Sequence, residues 1–451
     1  MKQSDRDGPD LNRRMDLETV HPSERGRNQA LVSRRYRGRR AIAEKPRPSA
    51  RKAGYRVAAD FFTTRRGSCP PPGGIHTSTM QSSIRIHSIA AASMLAIFGL
   101  SAQAQTVQIA IAGPMSGSVA QYGDMVKAGV LTAIEQINAA GAAGGHKLEA
   151  VMMDDACEPK QAVAVANKIV SQRIKYVIGH MCSGSTIPAS DIYENEGIVM
   201  VTPSATVPQI TEGKKRKFIF RTTGRDDQQG PVAARHIIAK VQPGKVAVLH
   251  DKQSYGQGLA TSVKKVLDEA KVPVVLFEGV NAGDSDYSAV ITKIKAQGAD
   301  FVYFGGYHPE MGLLLRQARE QGVKATFMGP EGVGNKDVTA IAGPASEGML
   351  VTLPADFSED PANAALVKAF ADKKRDINGP FQLPAYAAVK IIADAMAGTK
   401  SADPAKVAAY MHQNAFQTPI GKVEYDAQGD LKSFKFVVFT WHKDATKTAV
   451  H

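Results

Sequence analysis

The chain has 451 residues, of which 43% are hydrophobic and 22% charged, enough material for one large or two ordinary domains with their own cores. Its 40 glycines and 24 prolines are close to average usage, which excludes a collagen-like chain, a small crosslink-dependent scaffold and a wholly disordered protein. A formal charge of +13 suggests a nucleic-acid partner, but the excess is local: residues 1–104 hold 19 Lys/Arg against 8 Asp/Glu, and residues 105–451 hold 37 against 35, so no nucleic-acid partner is expected.

Residues 1–79 are polar and Arg-rich, run through RRYRGRR to SCPPPGG without sustained periodicity, and resemble a basic extension rather than a domain. Residues 80–104 have the form of a secretory signal peptide. Met80 offers a start, Arg85 and His87 give a weakly basic opening, and Ile89–Leu100 is an apolar run too short to span a membrane. Ala102-Gln103-Ala104 then has the small-x-small form of a cleavage site, so the exported protein is expected to be 105–451. A leader beginning at residue 80 points to a start codon assigned too far upstream. The alternative is a genuine basic arm with a buried helix at 89–100.

Beyond the leader, apolar strands alternate with helices. TVQIAIAG (106–113) reads as a strand, followed by a Gly/Ser loop and a helix over 124–141 whose Val126, Val130, Ile134 and Ile137 share one face. A strand at 147–155, a helix at 159–171 with Pro in its first turn, and a strand at 175–180 follow. A helix opens near Ser185, and strands are expected at 197–204 and 218–224. The second series has helices at 228–241, 256–270, 286–296 and 309–321, and strands at 245–250, 272–279, 300–306 and 325–332. Helices at 383–397 and 404–414 come next, and residues 421–443 read as a hairpin turning at Gln428-Gly429-Asp430. The pattern predicts parallel sheets with helices on both faces, and too many strands for one comfortable sheet. Two α/β lobes are expected, with a ligand bound between them beyond the carboxyl ends of the strands.

Cys69 falls in the basic extension, leaving Cys157 and Cys182. In an oxidising compartment they can close a loop worth roughly 3 kcal/mol, or they remain two buried thiols. There is no CxxC, Cys/His ladder or HExxH, no GxGxxG after the first strand and no GxxxxGK[ST]. Metal, redox and nucleotide cofactors are therefore not expected.

The strand ends carry the polar chemistry. The first leads through Gly113-Pro114-Met115-Ser116-Gly117-Ser118 to Tyr122, which either walls the cleft or packs on the surface. The third ends in Gly179-His180-Met181-Cys182-Ser183-Gly184-Ser185, where hydroxyls and N–H groups crowd at a helix start suited to a carboxylate. Helix capping is the rival role for Ser185 and for Thr206. The fourth strand end offers the Ser204 backbone and Thr206, and the later ends supply Tyr255, Tyr307 and Glu331. Tyrosines cover apolar ligand surface, and Glu331 is suited to pair with an ammonium in a water-poor cleft or to sit as a surface charge at a helix start. Together these groups point to a small zwitterion.

At these residues the chain resembles the leucine/isoleucine/valine-binding proteins of ABC transporters, within the type I periplasmic binding-protein family. The likeness covers about 107–443 and rests on GPMSGSVAQYGD, DDACEPKQAVAVANKIV, KYVIGHMCSGST, PASDIYENEGI, VTPSAT, HDKQSYGQG, FVYFGGYHPEMG, RQARE and FMGPEGV. It implies a Cys157–Cys182 disulfide, carboxylate binding by Ser183 and Thr206 with Ser204 backbone nearby, and ammonium binding by Glu331. Tyr122, Tyr255 and Tyr307 line or close the pocket in this reading, and Phe381 approaches it. Relatives often have Ala at 204, so a Ser side chain there bears on ligand preference. The implied fold is α/β, two parallel-sheet lobes joined by a multi-crossing hinge: 105–224 and 354–434 in the first lobe, 225–353 and 435–451 in the second. The implied function is a monomeric periplasmic receptor that delivers leucine, isoleucine or valine to an inner-membrane ABC permease, with no catalysis. Alternatives are an amino-acid, amide or urea sensor of the same fold, and a hydrolase using Cys182 with His180. Disulfide formation would silence that hydrolase.

Overall fold

The computed structural model describes residues 105–450. The basic extension, Cys69 and the leader at 80–104 lie outside the described residues. The chain runs β1 (Thr106–Gly113), α1 (Ala120–Ala140), β2 (Lys147–Asp154), α2 (Pro159–Ser171), β3 (Tyr176–Gly179), α3 (Ser183–Asn195), β4 (Val199–Thr202) and β5 (Ile219–Arg221). These five strands form one parallel sheet in the order β2-β1-β3-β4-β5. Alternation along β1 explains how the sheet is covered on both faces. Val107, Ile109 and Ile111 join a core with α1, while Ala110 and Ala112 face the core built by α2 and α3.

After β5 the chain passes to a second sheet through α4 (Asp226–His236), β6 (Val246–His250), α5 (Ser254–Glu269), β7 (Val274–Gly279), α6 (Ser288–Gln297), β8 (Phe301–Gly305), α7 (His308–Glu320), β9 (Thr326–Gly329), α8 (Asp337–Ala342) and β10 (Leu350–Pro354). Then α9 (Ala364–Asp372), α10 (Gln382–Thr399) and α11 (Pro404–Gln413) return to the first core, where α10 packs against α1. A small ribbon of β11 (Phe416–Thr418) and β12 (Gly421–Val423) follows, and β13 (Phe436–Trp441) and β14 (Lys447–Ala449) rejoin the second sheet. That sheet has the order β14-β13-β10-β9-β8-β6-β7, with β13 and β14 antiparallel at one edge.

Several sequence expectations are corrected. The first helix begins at Ala120 rather than 124, which places Tyr122 in its first turn. Here Gly123 lies under the preceding loop, where a Cβ would sit 1.9 Å from the Pro114 carbonyl oxygen, so only glycine permits this helix start. The helix expected at 228–241 begins at Asp226, with Asp226 and Asp227 in its dipole-favoured first turn, and ends in a π turn at Ile237–Val241. The strand expected at 325–332 stops at Gly329, because Pro330 has no N–H to donate, and Glu331 opens a short 3₁₀ turn. Residues 421–443 are not one hairpin. A Tyr425–Leu431 bridge does close the Gln428–Asp430 turn, but β12 pairs with β11 and β13 pairs with β10. The strand β10 and the helices α8 and α9 were not expected.

Candidate functional site

The loops after the strands of both sheets meet in one cleft. On the first-sheet side, β3 runs into α3 through His180, Met181 and Cys182, and this loop is held from every direction. His180 Nδ1 lies 2.5 Å from Asp155 Oδ2, and Nε2 lies 2.9 Å from the Tyr193 hydroxyl. The His180 carbonyl accepts from Thr186 Oγ1 and Thr202 Oγ1 at 3.0 and 2.8 Å. Asp155 Oδ1 accepts the Cys157 N–H at 2.8 Å, and Cys157 and Cys182 are joined by a disulfide. That crosslink leaves no thiolate at Cys182, and both His180 ring nitrogens are engaged, so the nucleophile–base pair of the hydrolase alternative is absent.

This brace presents the N-terminus of α3, whose unpaired N–H groups and dipole favour an anion. Ser183 is the first residue of α3, with Cys182 rather than a hydroxyl residue in the capping position. The Ser183 hydroxyl accepts the Thr206 N–H at 3.3 Å. Ser185 Oγ is buried with no hydrogen-bond partner among the described residues, and the Thr206 side chain lies beside the Asp226 carboxyl, so neither caps α3. The Ser204 hydroxyl donates to the Met181 carbonyl at 3.0 Å, which ties the two loops together.

Both sides supply the aromatic wall, Tyr255 and Tyr307 from the second sheet's loops and Tyr122 and Phe381 from the first. Tyr255 stands in the first turn of α5, Tyr307 caps α7, and Phe381 precedes α10. The Tyr255 and Tyr307 rings are 5.1 Å apart, and Tyr122 lies 6.1 Å from Tyr307 and 5.3 Å from Phe381. The Tyr122 hydroxyl donates to the Gly332 carbonyl at 2.6 Å and lies 3.1 Å from His308 Nδ1. Gly332 N–H donates to the Tyr255 hydroxyl at 2.8 Å. Tyr122 comes from α1, whereas Gly332 and His308 belong to the second lobe, so these bonds join the lobes in a closed cleft. Burial pushes the phenols of Tyr122, Tyr255 and Tyr307 well above their ordinary range, so all three are neutral donors at pH 7.

Glu331 is 1% exposed, and neither carboxylate oxygen has a hydrogen-bond partner among the described residues. Burial, reinforced by the charge of Asp226, pushes its carboxyl well above the usual range. An isolated buried carboxylate demands a cation or a proton. The structure therefore brings Tyr122, Tyr255, Tyr307 and Phe381 into one cluster with Glu331 beside it, and joins Ser183, Ser204 and Thr206 on the facing loops. Sequence reasoning missed the interlobe bond of His308 and the burial of Asp226 near the Thr206 loop. His308 does occupy a helix start, as that reading allowed, and Asp226 had only the weak signal of an acid following a strand end.

Two α/β lobes closing on strand-end loops define a substrate-binding receptor of the type I periplasmic fold. The chain belongs to the periplasmic binding protein family, whose model matches residues 106–446. It is 58% identical over 347 residues to the leucine-, isoleucine-, valine-, threonine- and alanine-binding protein of Pseudomonas aeruginosa, covering 77% of this chain and 93% of that one. It is 50% identical over 351 residues to the Leu/Ile/Val-binding protein of Escherichia coli K12, covering 78% and 95%. Among solved structures, a leucine-binding protein from Thermotoga maritima matches with a TM-score of 0.72 and 26% identity over 76% of this chain and 98% of that one. A branched-chain amino acid transporter substrate-binding protein from Streptococcus pneumoniae, in complex with isoleucine, matches with a TM-score of 0.70 and 26% identity over 77% and 99%.

Proposed function

We propose that this protein captures leucine, isoleucine or valine in the periplasm and presents it, as a monomer, to an inner-membrane ABC permease. One observation carries the reading: a fully buried, unpartnered Glu331 shares an aromatic-walled cleft with the anion-favouring start of α3. Ser183, Thr206 and Ser204 backbone receive the carboxylate, Glu331 receives the ammonium, and Tyr122, Tyr255, Tyr307 and Phe381 cover the side chain. A charged ligand side chain would lose solvation there without an evident partner. Lobe one is taken as 105–224 with 354–434, lobe two as 225–353 with 435–451, and export uses the leader at 80–104. The relatives named for branched-chain amino acids support the ligand class, and the Pseudomonas aeruginosa relative adds threonine and alanine to the ligands to be tried.

Calorimetry on the purified protein, stripped of carried-over ligand, tests the proposal. Leucine, isoleucine and valine should bind far more tightly than glutamate or lysine. Their mutual ranking should be shallow, because one methylene is worth only about 0.8 kcal/mol. Preferential binding of glutamate or lysine refutes the specificity.

A further inference from the structure

Glu331 is not the only buried carboxylate in this cleft. Asp226, the first residue of α4, is 2% exposed, and neither of its side-chain oxygens has a well-aligned hydrogen bond among the described residues, although the Thr206 hydroxyl lies close enough to favour its ionised form. Its backbone N–H donates to the Thr206 carbonyl at 3.0 Å, which fixes it beside the loop expected to hold the ligand's head group. Gly258 in the first turns of α5 makes room for the carboxylate, since a Cβ there would lie 3.0 Å from Oδ2.

The nearby cations are committed elsewhere. Arg221 donates to Asp430 at 2.6 Å, to the Ala205 and Val207 carbonyls at 2.6 and 2.9 Å, and to Thr211. Arg225 reaches Asp430 at 3.0 Å and Asp227 at 2.5 Å. Two further groups complete the cluster. The hydroxyls of Thr206 and Tyr303 are buried and have no well-aligned hydrogen bond among the described residues, and that of Thr206 lies beside the Asp226 carboxyl. The Tyr303 phenol, raised chiefly by burial, is raised also by the charges of Asp226 and then Glu331. Asp226 and Glu331 with the Thr206 and Tyr303 hydroxyls, all buried at the strand-end side of the two sheets, offer an acceptor set of the kind that suits a primary ammonium, which has three N–H donors and a positive charge.

We propose that Asp226 is a second ligand-facing carboxylate, sharing the amino acid's ammonium with Glu331. The proposal rests on the amino-acid reading above and adds to it a residue that acts on the same ligand group. Asp226 therefore sets selectivity for an ammonium over a neutral head group, rather than holding the fold together. An acid held at this position against its own desolvation cost should weaken the ligand-free protein while strengthening ligand capture.

Asp226→Asn keeps the shape and removes the charge. In the full protein, calorimetry with leucine should show at least a tenfold loss of affinity, with the ligand-free melting temperature unchanged or raised. Competition with 4-methylpentanoate, which is leucine without its ammonium, should show that compound's affinity unchanged or improved. A loss smaller than tenfold overturns the proposal. So does a loss accompanied by a lower melting temperature, or an equal loss for both compounds, since either marks a structural role. If the parent protein binds no amino acid, the functional reading itself falls and takes this inference with it. If the parent binds leucine and the variant matches it, only the role of Asp226 falls.

Discussion

Tyr122→Phe isolates the bond that holds the lobes together. The substitution keeps the ring and its packing against Tyr307, His308 and Phe381, and deletes only the hydroxyl. Burial lowers the His308 pKa to about 4, so the ring is neutral at pH 7. Because the Tyr122 hydroxyl donates to Gly332, its oxygen is free to accept from His308, which assigns the His308 proton to Nδ1. The variant leaves a carbonyl and an N–H buried without partners in the closed form, whereas in the open form water satisfies both. Leaving buried groups unpaired costs about 1–3 kcal/mol, which corresponds to roughly 5–150-fold in the closing equilibrium. Leucine affinity should fall by that factor, mostly through faster dissociation. Stopped-flow displacement and calorimetry measure the two quantities. Unchanged affinity and dissociation rate would refute the idea that this bond stabilises the closed state.

Four further outcomes are expected. Glu331→Gln should weaken leucine binding by about 2–5 kcal/mol in calorimetry, the range for removing one member of a buried charge pair. Gly332→Ala should weaken leucine binding in calorimetry, because a Cβ there would lie 2.5 Å from the Gly306 carbonyl oxygen and 2.8 Å from the Tyr255 ring, so the second-lobe wall that bonds Tyr255 and Tyr122 must shift; unchanged affinity contradicts this. Reducing Cys157–Cys182 should lower stability by about 3 kcal/mol in denaturant titrations. The ligand-free protein should become more stable to heat as pH is lowered from 8 to about 5.5. Burial within the second lobe raises Asp251 to about 7, while the unfolded chain releases this proton near 3.8, so between those values the folded state holds more protons and stability falls as pH rises. At about 1.4 kcal/mol per unit the change between pH 7 and 5.5 is roughly 2 kcal/mol, and a Tm that is flat or rises toward pH 8 contradicts it.

The βα alternation was legible because each strand is short, apolar and bounded by polar turns, and because α1 and α2 carry their apolar residues at helical spacing. Pairing was less legible. The Gln428–Asp430 turn follows from local chemistry, with Gly429 at φ +86°, but the segments on either side find partners far away in sequence. Leu350–Pro354 is a short apolar run whose period does not separate strand from helix. The site divides in the same way. Residue types at strand ends pointed to Tyr122, Tyr255, Tyr307 and Glu331, but whether Tyr122 faced solvent depended on the second lobe folding over it. Asp226 was invisible for a physical reason. An acid in the first turn of a helix is the ordinary response to the helix dipole, and only its burial with no well-aligned hydrogen bond distinguishes it from many others.

Opposed terms in the closed cleft explain why closure should follow ligand capture. The contacts between Tyr122, His308 and Gly332 are satisfied within the protein, and the aromatic cluster gains burial, so both favour the closed form whatever the ligand. Asp226 and Glu331 act the other way. In the proposed mechanism, closing removes water from two carboxylates that have no well-aligned hydrogen bond among the described residues, a cost that rises as they ionise. A ligand that brings an ammonium to that point relieves the cost in the closed state alone, and so supplies the differential affinity that a population shift requires. A carboxylic acid with the same hydrocarbon chain but no ammonium fills the aromatic wall equally well and leaves the cost in place. The aromatic latch thus makes closure available, and the buried acids make it conditional on the charge of what has been captured.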